Sequence, residues 1–258
     1  MSLSRTVVLA VSLWLARAAR AEHTHGPSPG SAEPGAASTL AAGISMFAAR
    51  YDQRLYEGNY QGVAPIVRWA NARLAITGTF PLYRLVENGR TLYGPGDGVL
   101  AAQVSHQRAA LRAGLVAAVS VPTGDHQTGF GMGHAMVMSS LFAAYALDLV
   151  TVGASAGYGR AFGGGAHEHD RGSWPIVDPM NRSEVLWSAT ADVALAHAVM
   201  TGARVMGAIP IGDGNSRVIA AARVGWTAGR VATGFELQAG LAGDPFSVRG
   251  VVETTLRF

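Results

Sequence analysis

From Leu40 to the last residue the chain repeats one pattern: segments of roughly 10 to 14 residues in which apolar and polar side chains alternate, separated by gaps that are short and long in turn. Alternation at every second residue marks a strand with one apolar and one polar face. About twelve strands are predicted, at 40–51, 60–69, 72–84, 98–106, 110–121, 134–146, 149–161, 184–198, 202–209, 216–226, 230–241 and 246–258. In the seventh, Val150, Val152, Ala154, Ala156 and Tyr158 oppose Thr151, Gly153, Ser155, Gly157 and Gly159. The tenth sets Val218, Ala220, Ala222, Val224 and Trp226 against Arg217, Arg223 and Gly225. The last ends on an aromatic, with Val252, Thr254, Leu256 and Phe258 on one face and Val251, Glu253, Thr255 and Arg257 on the other.

Such strands could form a soluble sandwich or a lipid-facing barrel, and the gaps decide. Counted back from a periplasmic C-terminus, the odd connections are 242–245, 210–215, 162–183, 122–133, 85–97 and 52–59. The even ones are 227–229, 199–201, 147–148, 107–109 and 70–71, each shorter than every member of the first set. Short inner turns and long outer loops are the asymmetry of outer-membrane barrels. Aromatics collect at both ends, with Trp69, Tyr145, Trp226 and Phe258 near the inner one. Tyr51, Tyr60, Phe80, Tyr83, Tyr158, Phe162, Trp187 and Phe246 fall near the outer one, as two interfacial girdles. The expected fold is an all-β, antiparallel up-and-down transmembrane barrel in the outer membrane of a Gram-negative bacterium. Phe258 would serve as its assembly signal, and its partners would be the bilayer and the outer-membrane assembly machinery.

Composition adds the ends of the chain. Met1 to Ala21 reads as a signal peptide, with a charged start, an apolar stretch and Ala19-Arg20-Ala21 at the cleavage site. Residues 22–38, rich in Pro, Gly, Ser, Ala and His, read as a flexible periplasmic arm, leaving 39–258 for the barrel. Three of the 20 basic residues, Arg5, Arg17 and Arg20, leave with the signal and none of the 17 acids does, so the two signs then balance. The high isoelectric point therefore carries no nucleic-acid inference. There is no cysteine, which removes thiol chemistry and thiolate metal centres. After Ala21 no run of about 18 apolar residues occurs, which excludes a helical span.

Three outward-running strands end alike, at Thr79-Phe80-Pro81-Leu82, Ser120-Val121-Pro122-Thr123-Gly124-Asp125 and Ala208-Ile209-Pro210-Ile211-Gly212-Asp213. Proline cannot donate to a ladder, so it ends pairing there, and Gly-Asp turns the chain. The middle copy continues into Gly129-Phe130-Gly131-Met132-Gly133. This loop, with Pro122, Thr123, Gly124, Asp125, Gly129 and Gly131 as its motif, resembles that of the outer-membrane transporters grouped as the MetA-pathway-of-phenol-degradation family. The resemblance implies a barrel of about this size that passes small, often aromatic compounds, and it implies no catalytic residues.

Lumen parity falls on Arg68, Arg112, Asp192, Arg204, Arg217, Arg223, Glu236, Arg249 and Glu253, and nearer the ends on Arg73, Arg230 and Arg257. An Arg on the lipid side near the midplane would cost about 2–4 kcal/mol, so these side chains must point inward. Nine Arg against three acids predict either a lumen that favours anions or an Arg–carboxylate network that fills a narrow barrel. A metal set is offered by His126, His167, His169 and Asp170, in loops, against solvated polar residues as the plain alternative. His134 with Ser139 or Ser140 is the nearest approach to a hydrolase constellation, but they sit at different levels of one strand, so no enzyme and no cofactor is expected. The sequence thus points to a porin-like channel or transporter for small solutes, aromatic or anionic compounds being candidates. The alternative is a non-transporting structural or metal-associated barrel.

Overall fold

The computed structural model describes residues 38–258 apart from 54–55, 88, 164–176, 178–179, 197 and 244–245. The expected signal peptide and residues 22–37 of the arm lie outside the described residues. Fourteen strand segments follow one another: β1 (Thr39–Gln53), β2 (Tyr56–Ala70), β3 (Leu74–Thr79), β4 (Leu82–Glu87), β5 (Arg90–Pro95), β6 (Gly98–Arg108) and β7 (Leu111–Val121), then β8 (Ala135–Leu147), β9 (Val150–Phe162), β10 (Ser183–Ala196), β11 (Val199–Pro210), β12 (Arg217–Ala228), β13 (Val231–Ala242) and β14 (Val248–Arg257). All pairings are antiparallel, and β1 pairs with both β2 and β14, so the sheet closes on itself. At the seam the Phe258 amide donates to the Leu40 carbonyl at 2.9 Å, which ties the last residue to the first strand.

The wall has twelve strands because two of them are broken in the middle. β3 and β4 both pair with β2, on Ile66–Ala70 and Gly58–Val63, and β6 and β5 pair with them in turn. The breaks, at Phe80-Pro81 and Gly96-Asp97, face each other, and the Gly96 amide still donates to the Pro81 carbonyl at 2.9 Å. Pro81 therefore interrupts its strand without ending it. Only Pro122, immediately after β7, stops pairing as expected, since Pro210 still pairs with Glu184.

Side chains alternate between an exposed apolar exterior and a buried interior. Leu100, Val104, Leu111, Leu115, Val119, Leu141, Phe235, Leu237 and Leu256 stand outward in a belt that only lipid would accommodate. At one end the connections are tight turns, 71–73, 109–110, 148–149, 197–198 and 229–230, with positive φ at Ala109, Asp148 and Gly229. At the other end, 122–134, 163–182, 211–216 and 243–247 are longer. The remaining two connections at that end, 54–55 and 88–89, are as short as the turns, which corrects the expected loops at 52–59 and 85–97. Those residues extend the β1–β2 and β4–β5 hairpins, where mixed polar side chains read as loop although the ladder continues.

The outer aromatic girdle is also smaller than expected. Phe80, Tyr158 and Phe162 are exposed, with Trp187 half-buried, whereas Tyr51, Tyr60, Tyr83 and Phe246 turn inward and are buried. Height along a strand placed all eight in one ring. Parity separates them. At the turn end Trp69, Tyr145, Trp226 and Phe258 do face outward.

Candidate functional site

The interior is the candidate site, and strand register builds it. Asp192 on β10, Gly202 on β11, Arg223 on β12 and Glu236 on β13 occupy one row of directly paired positions. Because Gly202 has no side chain, Asp192 can lean across it, and a Cβ there would collide with Asp192 Oδ1. Arg223 then forks onto Asp192, with Nε to Oδ1 at 2.9 Å and Nη2 to Oδ2 at 2.6 Å. This planar, two-bond arrangement is the strong form of a charged pair.

A second line runs across four strands and the barrel seam. Arg204 on β11 donates through Nη2 to Glu236 Oε1, and Gln238 Nε2 donates to the same oxygen at 2.6 Å. Gln238 Oε1 accepts from Arg249 Nε at 2.8 Å, and Arg249 Nη1 reaches the Tyr60 hydroxyl at 3.2 Å. The Arg249 guanidinium also lies 4.2 Å from the centre of the Phe246 ring, within cation–π range. Nearer the loop end, both carboxylate oxygens of Glu184 accept from Arg217 Nη2, at 2.6 and 2.8 Å. Glu184 also accepts from the Asn181 amide and side chain, and Asn181 binds Asn215, so the 163–182 and 211–216 connections are tied to the barrel wall. Arg217 Nε and Nη1 and Arg223 Nη1 are buried donors with no hydrogen-bond acceptor among the described residues.

The facing side holds fewer buried charges, Arg68, Arg112 and Asp97, and carries a cluster of rings. Phe47, Tyr60 and Tyr83 pack with ring centres 5.1 to 6.3 Å apart, and Phe130, from the 122–134 connection, stacks on Tyr83 at 6.4 Å. The loop reaches that position because it is latched. Asp97, in the wall break, accepts from the Gly124 amide at 2.9 Å and from the Met132 amide at 2.8 Å. The Thr123 hydroxyl accepts from the Gly98 amide and donates to the Gly96 carbonyl, while Asp125 caps the single helical turn His126–Thr128 by accepting from the Gln127 amide. Gly131 is fixed by contact, since a Cβ would strike Asp97. The motif residues thus fold the loop into the mouth and bury Phe130 and Met132.

This is the fold of outer-membrane channel barrels. The chain is similar to the COG4313 outer membrane channel from Pseudomonas putida F1, with 11% identity over 88% of this chain and 97% of that one and a TM-score of 0.68. It is also similar to the KdgM porin, at 8% identity over 86% and 99% of the two chains, TM-score 0.53. The translocator domain of the autotransporter NalP from Neisseria meningitidis follows at 12% identity, over 87% and 89%, TM-score 0.51. No family model and no curated protein matches the sequence.

All nine expected lumen residues, Arg68, Arg112, Asp192, Arg204, Arg217, Arg223, Glu236, Arg249 and Glu253, are buried. Arg73 and Arg230 are exposed, and Arg257 is half-buried with its Nη2 on the Gly229 carbonyl at 3.1 Å. Two acids were missed: Glu184 and Asp97 are both buried. The expected nine-to-three excess of Arg becomes six Arg against five carboxylates among the described buried residues. Glu184 could have been found from its parity with Asp192, and Asp97 from Pro95-Gly96-Asp97-Gly98, a third stretch in which Gly-Asp follows Pro. His126 is exposed on the helical turn, whereas His167, His169 and Asp170 lie outside the described residues. Among the described residues no three of His, Cys, Asp and Glu come together as a metal centre. His134, by contrast, is buried on the inner face of the chain entering β8.

Proposed function

We propose that this chain sits in the bacterial outer membrane, with loops outside and both termini in the periplasm, and passes small solutes that join an anionic group to an aromatic or apolar body. The observation that carries this reading is the division of the interior. Most buried charges collect on β10 to β14, and the buried rings other than Phe246 lie on β1, β2, β4, β8 and the 122–134 connection. A solute with one charged and one apolar edge finds a matching surface on each side. The uncommitted donors of Arg217 and Arg223 supply the anion preference, because a desolvated guanidinium N–H gains most from a charged acceptor. Two of the three named neighbours in the same fold are a channel and a porin, the porin also solved with disordered oligogalacturonate. The Pro122–Gly133 loop supports kinship with the MetA-pathway-of-phenol-degradation transporters.

Passage requires the latched loop to move, since Phe130 and Met132 occupy the mouth together with Val177, Met180 and Phe246. That filling favours a second reading, a closed structural barrel. Flux separates the two. Liposomes carrying the refolded protein should take up benzenesulfonate faster than phenyltrimethylammonium, which matches it in size and ring but carries the opposite charge. Uptake of neither by a folded barrel, or equal uptake of both, would contradict the proposal.

A further inference from the structure

At the loop end of the barrel the outward side chains of most strands stay uncharged: Val121 on β7, Val137 on β8, Ile209 on β11, Leu241 on β13 and Val248 on β14 are all exposed. One sector differs. On β1, β2 and β4 the apolar band ends at Met46, Val63 and Leu82, which are direct partners across the three strands. The next outward row towards the loops is Ala48, Gln61 and Arg84, and the one after it is Arg50, Asn59 and Val86. Two residues along a strand span about 6.8 Å, so both arginines stand at the level where hydrocarbon gives way to headgroups. Arg160 on β9 is the other outward arginine at this end among the described strands, and it lies over its own neighbour Phe162 at 5.9 Å.

The side chains of this sector are joined to one another. Arg84 Nη1 donates to Gln61 Oε1 at 2.6 Å, Gln61 Nε2 donates to Asn59 Oδ1, and Asn59 is the direct partner of Arg50. The Arg84 bond uses one of the five guanidinium donors. Among the described residues neither arginine has a carboxylate within ion-pairing distance, although Glu57, the next outward residue of β2 towards the hairpin tip, is exposed. Tyr93 on β5, paired with Arg84, is 73% exposed and adds an aromatic face. Arg50 and Arg84 are two strands and one row apart, with roughly 12 Å between their Cα atoms. Two extended arginine side chains can close that span.

A lone arginine at the rim of a membrane protein needs only to snorkel to water. Snorkelling requires no neighbours and predicts single arginines spread around the rim. Here two arginines, two carboxamides and a phenol gather on four adjacent strands. Guanidinium forks match phosphate oxygens, and carboxamides and hydroxyls match the hydroxyls of a sugar. The outer leaflet of a Gram-negative outer membrane is built on lipid A, a phosphorylated glucosamine disaccharide that offers both.

We propose that Arg50, Asn59, Gln61, Arg84 and Tyr93 form a lipid-facing binding site for the phosphorylated disaccharide of lipid A. Its place in the outer leaflet rests on the loops-outside orientation proposed above, whereas binding by the solubilised protein does not depend on that orientation or on solute passage.

The refolded full chain in detergent is titrated with bisphosphorylated lipid A, and the bound fraction is read by native mass spectrometry. A single lipid A should be retained, about tenfold or more tighter than phosphatidylglycerol or lipid A stripped of both phosphates. Arg50→Gln combined with Arg84→Gln should keep the heat-modifiable barrel and lose about tenfold in affinity, while Arg160→Gln binds as the wild type does. Undiminished binding by the double variant, or equal binding of the phosphate-free lipid, would overturn the site. Equal binding of phosphatidylglycerol would also overturn it, leaving an unspecific anionic-lipid surface. If the double variant does not fold, the three lipids on the wild-type barrel decide. Orientation is read separately. The chain has no cysteine, so Asp213→Cys in the 211–216 connection should react with a membrane-impermeant maleimide on intact cells. Absence of that reaction would overturn the outer-leaflet placement whatever the affinity in detergent.

Discussion

Between β10 and β14 the barrel interior is organised by charge: eight of the eleven buried Arg, Asp and Glu side chains of the described residues lie on those five strands. Between β1 and β8 it is organised by shape, with Phe47, Tyr60, Tyr83 and Phe142 on the wall, Met136 and Met138 on β8, and a loop held in place by Asp97. Each solution meets the same requirement, because lipid outside forces every charge inward. They fail differently, however. A buried ion pair loses far more than its own worth when one partner is removed, since the other charge stays behind. An apolar contact loses only area and volume.

The charged side should therefore yield the largest effects. Asp192→Ala strands Arg223 and should cost about 3–5 kcal/mol, read as a lower guanidinium midpoint of the solubilised barrel by tryptophan emission. Replacing both partners with apolar side chains of similar volume should restore most of that loss. Failure of the double variant to recover would mean that the pair is not the unit of stability. Tyr60→Phe comes next, removing the acceptor that joins the Arg249 line to the ring cluster, and should cost about 1.5–3 kcal/mol as a hydrogen bond to a charged group.

A local effect is expected on the apolar side. Asp97→Ala leaves the Gly124 and Met132 amides without their acceptor, worth about 1–3 kcal/mol, and should show chiefly as faster protease cleavage within 122–134. An unchanged cleavage rate would mean that the Thr123 bonds and Phe130 packing hold the loop without Asp97. The smallest change is Met138→Leu, with a stability loss below about 1.5 kcal/mol. A loss as large as that of Asp192→Ala would erase the distinction between the two sides.

The outward face was legible because lipid imposes one rule at every second residue, so strand number, the burial of the nine inward-parity residues and the long 122–134 and 163–182 connections could all be read from alternation. Contacts across the interior obey no such period. Glu184 and Asp97 matter through Arg217 and through the amides of residues 124 and 132, which lie 27 or more positions away in the chain. Tyr51, Tyr60, Tyr83 and Phe246 sit at girdle height yet point inward, so their level misled where their parity would have helped. The hairpin tips near 54–55 and 88–89 escaped for a related reason: strands that run beyond the apolar band lose the hydrophobic half of their signature while keeping their ladder.

The most direct test of a solute path between these two sides is the reversal potential of the purified, refolded barrel in a planar bilayer under a KCl gradient. An anion-preferring path lined by Arg217 and Arg223 predicts discrete current steps and a reversal potential on the chloride side. A correctly folded barrel that passes no current, or one that prefers potassium, would contradict it.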